Sequence, residues 1–155
     1  MLERPERKSI RLERSVYGTE GITFLLTIKT HDGRKLFADP RLAAFVFDSI
    51  IHGPLFKETH PFAACVMPEH THLLLQVVYA NLIDLVSDWK TYTTNALHRM
   101  GVDGQIWQRS FHDHMMRADE DLHAAAWYVA NNPAAAGTTD AEGKYPYVWC
   151  RWTTE

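Results

Sequence analysis

Val66-Met67-Pro68-Glu69-His70-Thr71-His72-Leu73-Leu74-Leu75 has the pattern of an apolar β-strand that contains two histidines one residue apart. Successive side chains of a strand point to opposite faces of a sheet. We therefore expect His70 and His72 on one face, with Thr71 and Leu73 on the other. The histidine face is the more polar of the two, and we expect it to be open.

The histidine pair alone leaves two interpretations open. Two imidazoles on one strand can hold a metal ion, or they can simply lie on a solvent-exposed sheet face without binding a metal. Nine histidines in 155 residues also produce such pairs by chance, and a second pair is present at His112 and His114. That second pair could form another metal site, but we favour packing or phosphate contacts for it.

The composition is typical of one globular domain. With 46% hydrophobic residues, the chain can fill one core but hardly two. We expect a single domain over residues 1–155, with a charged N-terminal arm at 1–17 and a C-terminal tail at 138–155 packed back on it. No apolar run approaches the roughly 18–20 residues of a membrane span, and residues 1–14 lack the apolar core of a signal peptide. A cytoplasmic protein with reduced cysteines is therefore expected.

The overall charge argues against a protein that binds nucleic acid through its bulk electrostatics. The net charge is −3 and the isoelectric point about 6.3, whereas nucleic-acid-binding domains are commonly basic. The charge is uneven, because residues 118–155 carry two basic and six acidic side chains and residues 1–117 have a net charge of +1. A locally basic groove therefore remains compatible with the sequence.

Hydrophobic periodicity predicts strand, helix, two adjacent strands, helix, strand and helix in chain order. The first helix should run from Pro40 to Ile51 with Asp39 as its N-cap. A longer helix should follow from Leu82, with Tyr92 on its buried stripe. The predicted strands lie at 22–28, 62–67, 70–77 and at the end of a loop within 106–117. This order implies an α+β sandwich, with a mostly antiparallel sheet and helices packed on one face.

The last predicted helix carries a tyrosine and an asparagine at helical spacing. Tyr128 and Asn132 are four residues apart, which places them one above the other and beside the apolar stripe that includes Val129. If this helix flanks the histidine face, a phenol and an amide oxygen converge on the imidazole pair. The alternative is that Tyr128 is a boundary aromatic residue and Asn132 a C-cap.

Four motifs carry a resemblance to a known family: Val66-Met67-Pro68-Glu69-His70-Thr71-His72-Leu73, Trp89-Lys90-Thr91-Tyr92-Thr93, Trp107-Gln108-Arg109 with Phe111, Asp113, His114 and Arg117, and Tyr128-Val129-Ala130-Asn131-Asn132-Pro133. In this order, between about Gly21 and Pro133, they resemble the single-tyrosine HUH transposases. Within that superfamily the chain is most similar to the REP-associated tyrosine transposases of bacteria. Thr71 departs from the pattern, since a large hydrophobic residue is usual there, and its hydroxyl needs a partner.

The resemblance implies a ferredoxin-like α/β sandwich and a specific set of site residues. His70, His72 and Asn132 match the ligands of a divalent metal, Mg²⁺ or Mn²⁺, and Tyr128 matches the nucleophile. The expected partner is single-stranded or hairpin DNA, including REP-like palindromes, bound by a monomer or a homodimer away from any membrane. Candidate DNA contacts at basic or polar motif positions are Lys90, Arg109, His114 and Arg117.

The resemblance therefore predicts a metal-dependent single-stranded DNA endonuclease and strand transferase, that is, a transposase. A tyrosine nucleophile forms a covalent 5′-phosphotyrosine, which conserves the bond energy for rejoining. The metal would act as a Lewis acid on the scissile phosphate. Two other functions stay open: a domesticated relative that binds a DNA hairpin without cutting it, and a small metal-dependent hydrolase that activates water.

Overall fold

The computed structural model describes residues 12–152, so most of the predicted N-terminal arm (1–11) and the last residues of the tail (153–155) lie outside the described part. Within residues 12–152 five strands form one sheet in the order β4-β1-β3-β2-β5, with every neighbouring pair antiparallel. The strands are β1 (Thr23–Lys29), β2 (Thr59–Met67), β3 (His70–Val77), β4 (His112–Met115) and β5 (Val148–Cys150). The order 4-1-3-2 of the first four strands, joined by two crossing helices, is ferredoxin-like. The predicted α+β fold class is confirmed.

The helices are α1 (Pro40–Ile51), α2 (Leu82–Arg99), α3 (Leu122–Ala130) and the short α4 (Asn132–Ala135). The start of α1 is as predicted, because the Asp39 carboxylate accepts a hydrogen bond from the Arg41 backbone N–H at 3.0 Å. Asn81 caps α2 in the same way, through Ile83. Both helices pack on the face of the sheet that carries the large apolar core.

Two tryptophans fix α2 against this core. The indole N–H of Trp89 donates to the Ser49 hydroxyl, and that of Trp107 donates to the Thr93 hydroxyl, each at 2.9 Å. The prediction that Tyr92 is buried is wrong, since Tyr92 is 47% exposed. Thr93, about one turn after Trp89, lies at the centre of the buried face of α2, and Tyr92 lies at the edge of that face.

The histidine face is not fully open, in contrast to our expectation. The alternation itself is as predicted, because Thr71 is buried on the α1/α2 side with its hydroxyl 3.5 Å from the Ile28 carbonyl oxygen. On the opposite side, α3 buries Ala126 and Val129. They pack in a second apolar cluster with sheet residues that share the histidine face: Ala63, Cys65, Met67 and Leu74. This part of the face is apolar, which explains why a helix covers it.

Residues after α4 return to the edge of the sheet. β5 pairs with β2, the Tyr145 hydroxyl donates to the Val66 carbonyl oxygen, and the Trp152 ring stacks on Phe62 at 5.4 Å between centroids. Burial in this region raises the pKa of Tyr145. None of the helices within residues 12–152 is both long and apolar enough to cross a lipid bilayer.

Candidate active site

A tight turn places His70 at the very start of β3. Met67 and His70 are paired across this turn, so only Pro68 and Glu69 connect the two strands. The Glu69 carbonyl oxygen accepts hydrogen bonds from the backbone N–H and the hydroxyl of Thr30, at 2.9 and 3.0 Å. Because the turn is tied to the neighbouring chain segment, the position of the His70 ring is well defined.

The two imidazoles of the motif lie together, and each is contacted through its Nδ1 atom. Their ring centroids are 4.6 Å apart, and His72 is 6% exposed. The Nδ1 atom of His70 lies 2.9 Å from a Glu69 carboxylate oxygen, and that of His72 lies 3.1 Å from the Thr27 hydroxyl. A carboxylate only accepts, so Nδ1 of His70 donates this hydrogen bond, and in the neutral imidazole Nε2 is then the nitrogen with the lone pair. Metal-binding histidines are commonly oriented by such contacts.

Tyr128 lies beside this pair. Its ring centroid is 5.7 Å from that of His72, and 55% of the residue is exposed. Helix α3 fixes this position, because Ala126 and Val129 anchor it on the sheet and the Asp121 carboxylate caps its first turn at 2.9 and 3.1 Å. The phenol is therefore held near the imidazoles while remaining accessible to a large substrate.

An open cavity of about 810 Å³ joins these groups, and its lining residues are Thr27, Lys29, Thr30, His31, Asp32, Gly33, Glu69, His70, His72, Gln108, His112 and Tyr128. Thr27, Lys29, His31, Gln108 and His112 were not predicted at this site. Strand register brings Thr27, Lys29 and His112 there, since β1 pairs with both β3 and β4, and one sequence does not reveal which residues are paired. His31 and Gln108 lie outside the strands and are held by backbone hydrogen bonds to Ile106 and Lys29.

Asn132 is not among the residues that line this cavity. Helix α3 ends at Ala130 with Asn131 as its C-cap, and Asn132 begins α4. Pro133 explains the break, because it lacks the N–H that would continue the helix and disfavours helical backbone before it. The assignment of Asn132 as third metal ligand stays a prediction.

The four candidate DNA contacts lie outside this cavity. Lys90 donates to the carbonyl oxygens of Gln108 and Ser110, so its ammonium holds the loop before β4. Lys90 and Arg109 line a second cavity of about 550 Å³ between α2 and this loop. Contact of these residues with DNA stays a prediction.

On the other side of the loop, His114 Nε2 lies 2.8 Å from a Glu120 carboxylate oxygen. This hydrogen bond lowers the pKa of Glu120, whose carboxylate also accepts from the backbone N–H of Arg117. Glu120 thus contacts both candidate residues, and its carboxylate adds a negative charge beside them, which disfavours a phosphate at this position.

The residues present fit a metal ion held by two imidazoles. Among the described residues, no group of three or more His, Cys, Asp or Glu side chains is arranged to hold a metal. Cys65 is paired with His72 in register, but burial raises the pKa of its thiol to about 12, which disfavours a thiolate ligand. The remaining coordination positions would therefore take oxygen ligands, such as an amide or a substrate phosphate.

Burial of His72 predicts acid sensitivity of the fold. Burial, then the charges of His70 and Lys29, lower the pKa of His72 from 6.5 to about 4. The unfolded state therefore binds the proton first, and stability is lost as the pH falls from 6.5 toward 4. Between pH 7 and pH 5 we expect this group to cost about 2 kcal/mol of unfolding free energy. Urea denaturation in EDTA at pH 7 and pH 5 measures this loss of unfolding free energy, with His72→Gln as the control. If both proteins show the same pH dependence, His72 is not its cause.

No protein-family model matches the chain, but two known proteins are similar to it, one in sequence and one in fold. A protein of Haemophilus influenzae, provisionally named as a REP-associated tyrosine transposase, is 27% identical over 147 residues, which covers 83% of this chain and 80% of the relative. A solved structure described as the REP-associated tyrosine transposase bound to a REP hairpin superposes with a TM-score of 0.62. It covers 90% of this chain and 91% of the other at 20% sequence identity, and it shows that the fold is shared. The resemblance carried by the four motifs is therefore confirmed: this chain is similar, in sequence and in fold, to the REP-associated tyrosine transposases.

Proposed function

We propose that this protein is a metal-dependent, single-strand-specific DNA endonuclease and strand transferase that works through a 5′-phosphotyrosine on Tyr128. The observation that carries the proposal is the juxtaposition of three rings in one open cavity. The Tyr128 ring lies 5.7 Å from His72, and His72 lies 4.6 Å from His70. A nucleophile next to two imidazoles that could hold a divalent ion is an arrangement suited to metal-assisted phosphoryl transfer to a tyrosine.

The residues of the chain have separable roles in this proposal. The Tyr128 oxygen attacks the phosphorus, and the exposure of its ring admits a DNA strand. His70 and His72 would hold a divalent ion, Mg²⁺ or Mn²⁺, which would supply Lewis-acid stabilisation of the phosphate. Glu69 and Thr27 contact the Nδ1 atoms of these rings, which leaves the Nε2 atoms for a ligand. Asn132 remains the predicted third protein ligand.

The substrate we propose is a DNA hairpin with a single-stranded flank, of the REP-like palindrome class. The relative of known structure is described as bound to a REP hairpin, and the shared fold makes the same class of ligand reasonable here. Lys29 contributes a positive charge inside the cavity, and Lys90 and Arg109 contribute charges at the second cavity, which shares Gln108 with the first. Arg117 remains a predicted contact. Such contacts position the backbone without reading sequence.

Cleavage of an end-labelled hairpin oligonucleotide tests this function. We expect one cut in the single-stranded flank with Mn²⁺, none after EDTA, and recovery when Mn²⁺ is restored. Each protein molecule should cut once and retain the fragment on the 3′ side of the cut, joined to Tyr128 through its 5′-phosphate, while the other fragment leaves with a free 3′-hydroxyl. Multiple turnover without a retained fragment would instead indicate a metallohydrolase.

A binding protein without cleavage activity is the second candidate. One observation favours it: the described residues provide two imidazoles but no third His, Cys, Asp or Glu ligand at the site. This alternative expects hairpin binding that EDTA leaves unchanged, together with no cut in Mn²⁺.

A further inference from the structure

His112 faces the cavity from another strand of the same sheet. It is paired with Thr27, and Thr27 is also paired with His72, so the three side chains form a row across β4, β1 and β3 on one face. Neighbouring strands are about 5 Å apart, which separates the backbones of His72 and His112 by about 10 Å. A phosphate held at the histidine pair would therefore lie within reach of the His112 ring.

His112 and Tyr128 approach the histidine pair from opposite sides. Helix α3, which carries Tyr128, packs over β2, β3 and β5, whereas β4 forms the other edge of the sheet. Displacement at phosphorus places the attacking and leaving oxygens roughly in line. If Tyr128 attacks from the α3 side, the leaving oxygen departs toward β4.

The other proton donors of the cavity are less well placed for this oxygen. Lys29 is paired with His70, so it lies next to the histidine pair rather than across from Tyr128. His31 Nε2 is 3.2 Å from an Asp32 carboxylate oxygen. The exposed His112 ring makes no hydrogen bond or ion pair with any residue between 12 and 152.

We propose that His112 is the general acid that protonates the departing 3′ oxygen, an inference that rests on the function proposed above. The Tyr128 oxygen forms a bond to phosphorus and releases its proton to water. The bond from phosphorus to the 3′ oxygen breaks, its electron pair stays on that oxygen, and the oxygen takes the proton of His112. In rejoining, neutral His112 removes the proton of the attacking 3′-hydroxyl. Such transfers contribute about 10²–10⁴-fold to rate.

A sulfur substitution separates this role from a structural one. Two hairpin substrates are compared in Mn²⁺ under single-turnover conditions, one normal and one with sulfur in place of the bridging 3′ oxygen. A thiolate leaves without a proton, so it does not need a general acid. We expect His112→Ala and His112→Gln to cleave the normal substrate about 10²-fold more slowly than the native protein. With the sulfur substrate, both variants should come within about tenfold of the native rate.

His114→Ala is the matched control, because His114 lies on the same strand and face but is bonded to Glu120. Any loss of rate in this variant should be the same for both substrates. The inference is overturned if the His112 variants cleave the normal substrate at the native rate, or if they are equally slow on both. Absence of cleavage of either substrate by the native protein would overturn the proposed function itself.

Discussion

Tyr128→Phe should abolish formation of the covalent protein–DNA adduct and lower single-turnover cleavage by at least about 10³-fold. The substitution removes only the nucleophilic oxygen. The ring still packs beside His72, and the residue is more than half exposed. Stability should therefore change by no more than about 0.5 kcal/mol. A loss of activity at unchanged stability and unchanged hairpin affinity can then be assigned to the chemistry.

Mass spectrometry locates the adduct without ambiguity. Cleavage by trypsin after Arg117 and Lys144 releases a peptide, 118–144, in which Tyr128 is the one tyrosine. After incubation with oligonucleotide and Mn²⁺, this peptide should carry the mass of a 5′-phosphorylated DNA fragment. Tyr92→Phe is the control, because Tyr92 is similarly exposed on a helix but does not line the cavity. An adduct in another peptide, or cleavage that persists in Tyr128→Phe, would refute the mechanism.

Local signals in the sequence were sufficient for the parts of the fold that local interactions determine. The start of α1 follows from Asp39 as N-cap and Pro40 at the first position, and both were predicted. The alternation of β3, with Thr71 on one face and the histidines on the other, was also predicted, because side chains alternate at a fixed period of two along a strand. In each case the interacting groups are neighbours in sequence or repeat at a fixed period.

The parts that depend on pairing across the chain could not be predicted. Helix α3 covers part of the histidine face because it packs on apolar residues of β2 and β3, such as Cys65 and Leu74. A single sequence does not show that these residues lie beside the helix. The register that aligns Thr27 with both His72 and His112 is likewise a long-range property. The resemblance supplied Tyr128 and the histidines because motifs are local, but it did not supply the residues that orient them.

His70→Ala should eliminate metal-dependent cleavage and weaken Mn²⁺ binding by at least about 100-fold, since loss of even an orienting contact to a metal-binding histidine costs about 10–100-fold. The His70 side chain is 18% exposed, and its partner Glu69 lies at the surface, where water can solvate the released carboxylate. The variant should therefore remain folded. The His72 ring is buried, so His72→Ala should lower stability as well as metal binding. That variant leaves a gap and an unpaired Thr27 hydroxyl, at a cost of about 1–3 kcal/mol.

Thermal denaturation at increasing Mn²⁺ concentration tests the loss of Mn²⁺ binding in His70→Ala independently of activity. A metal that binds only the folded state raises the melting temperature as its concentration rises. We expect this rise in the native protein and in His60→Ala, which removes an exposed imidazole at the opposite end of the same strand pair, where His60 faces Gln76. In His70→Ala the rise should disappear. If His70→Ala responds to Mn²⁺ as the native protein does, His70 is not a ligand and its contact with Glu69 only stabilises the turn.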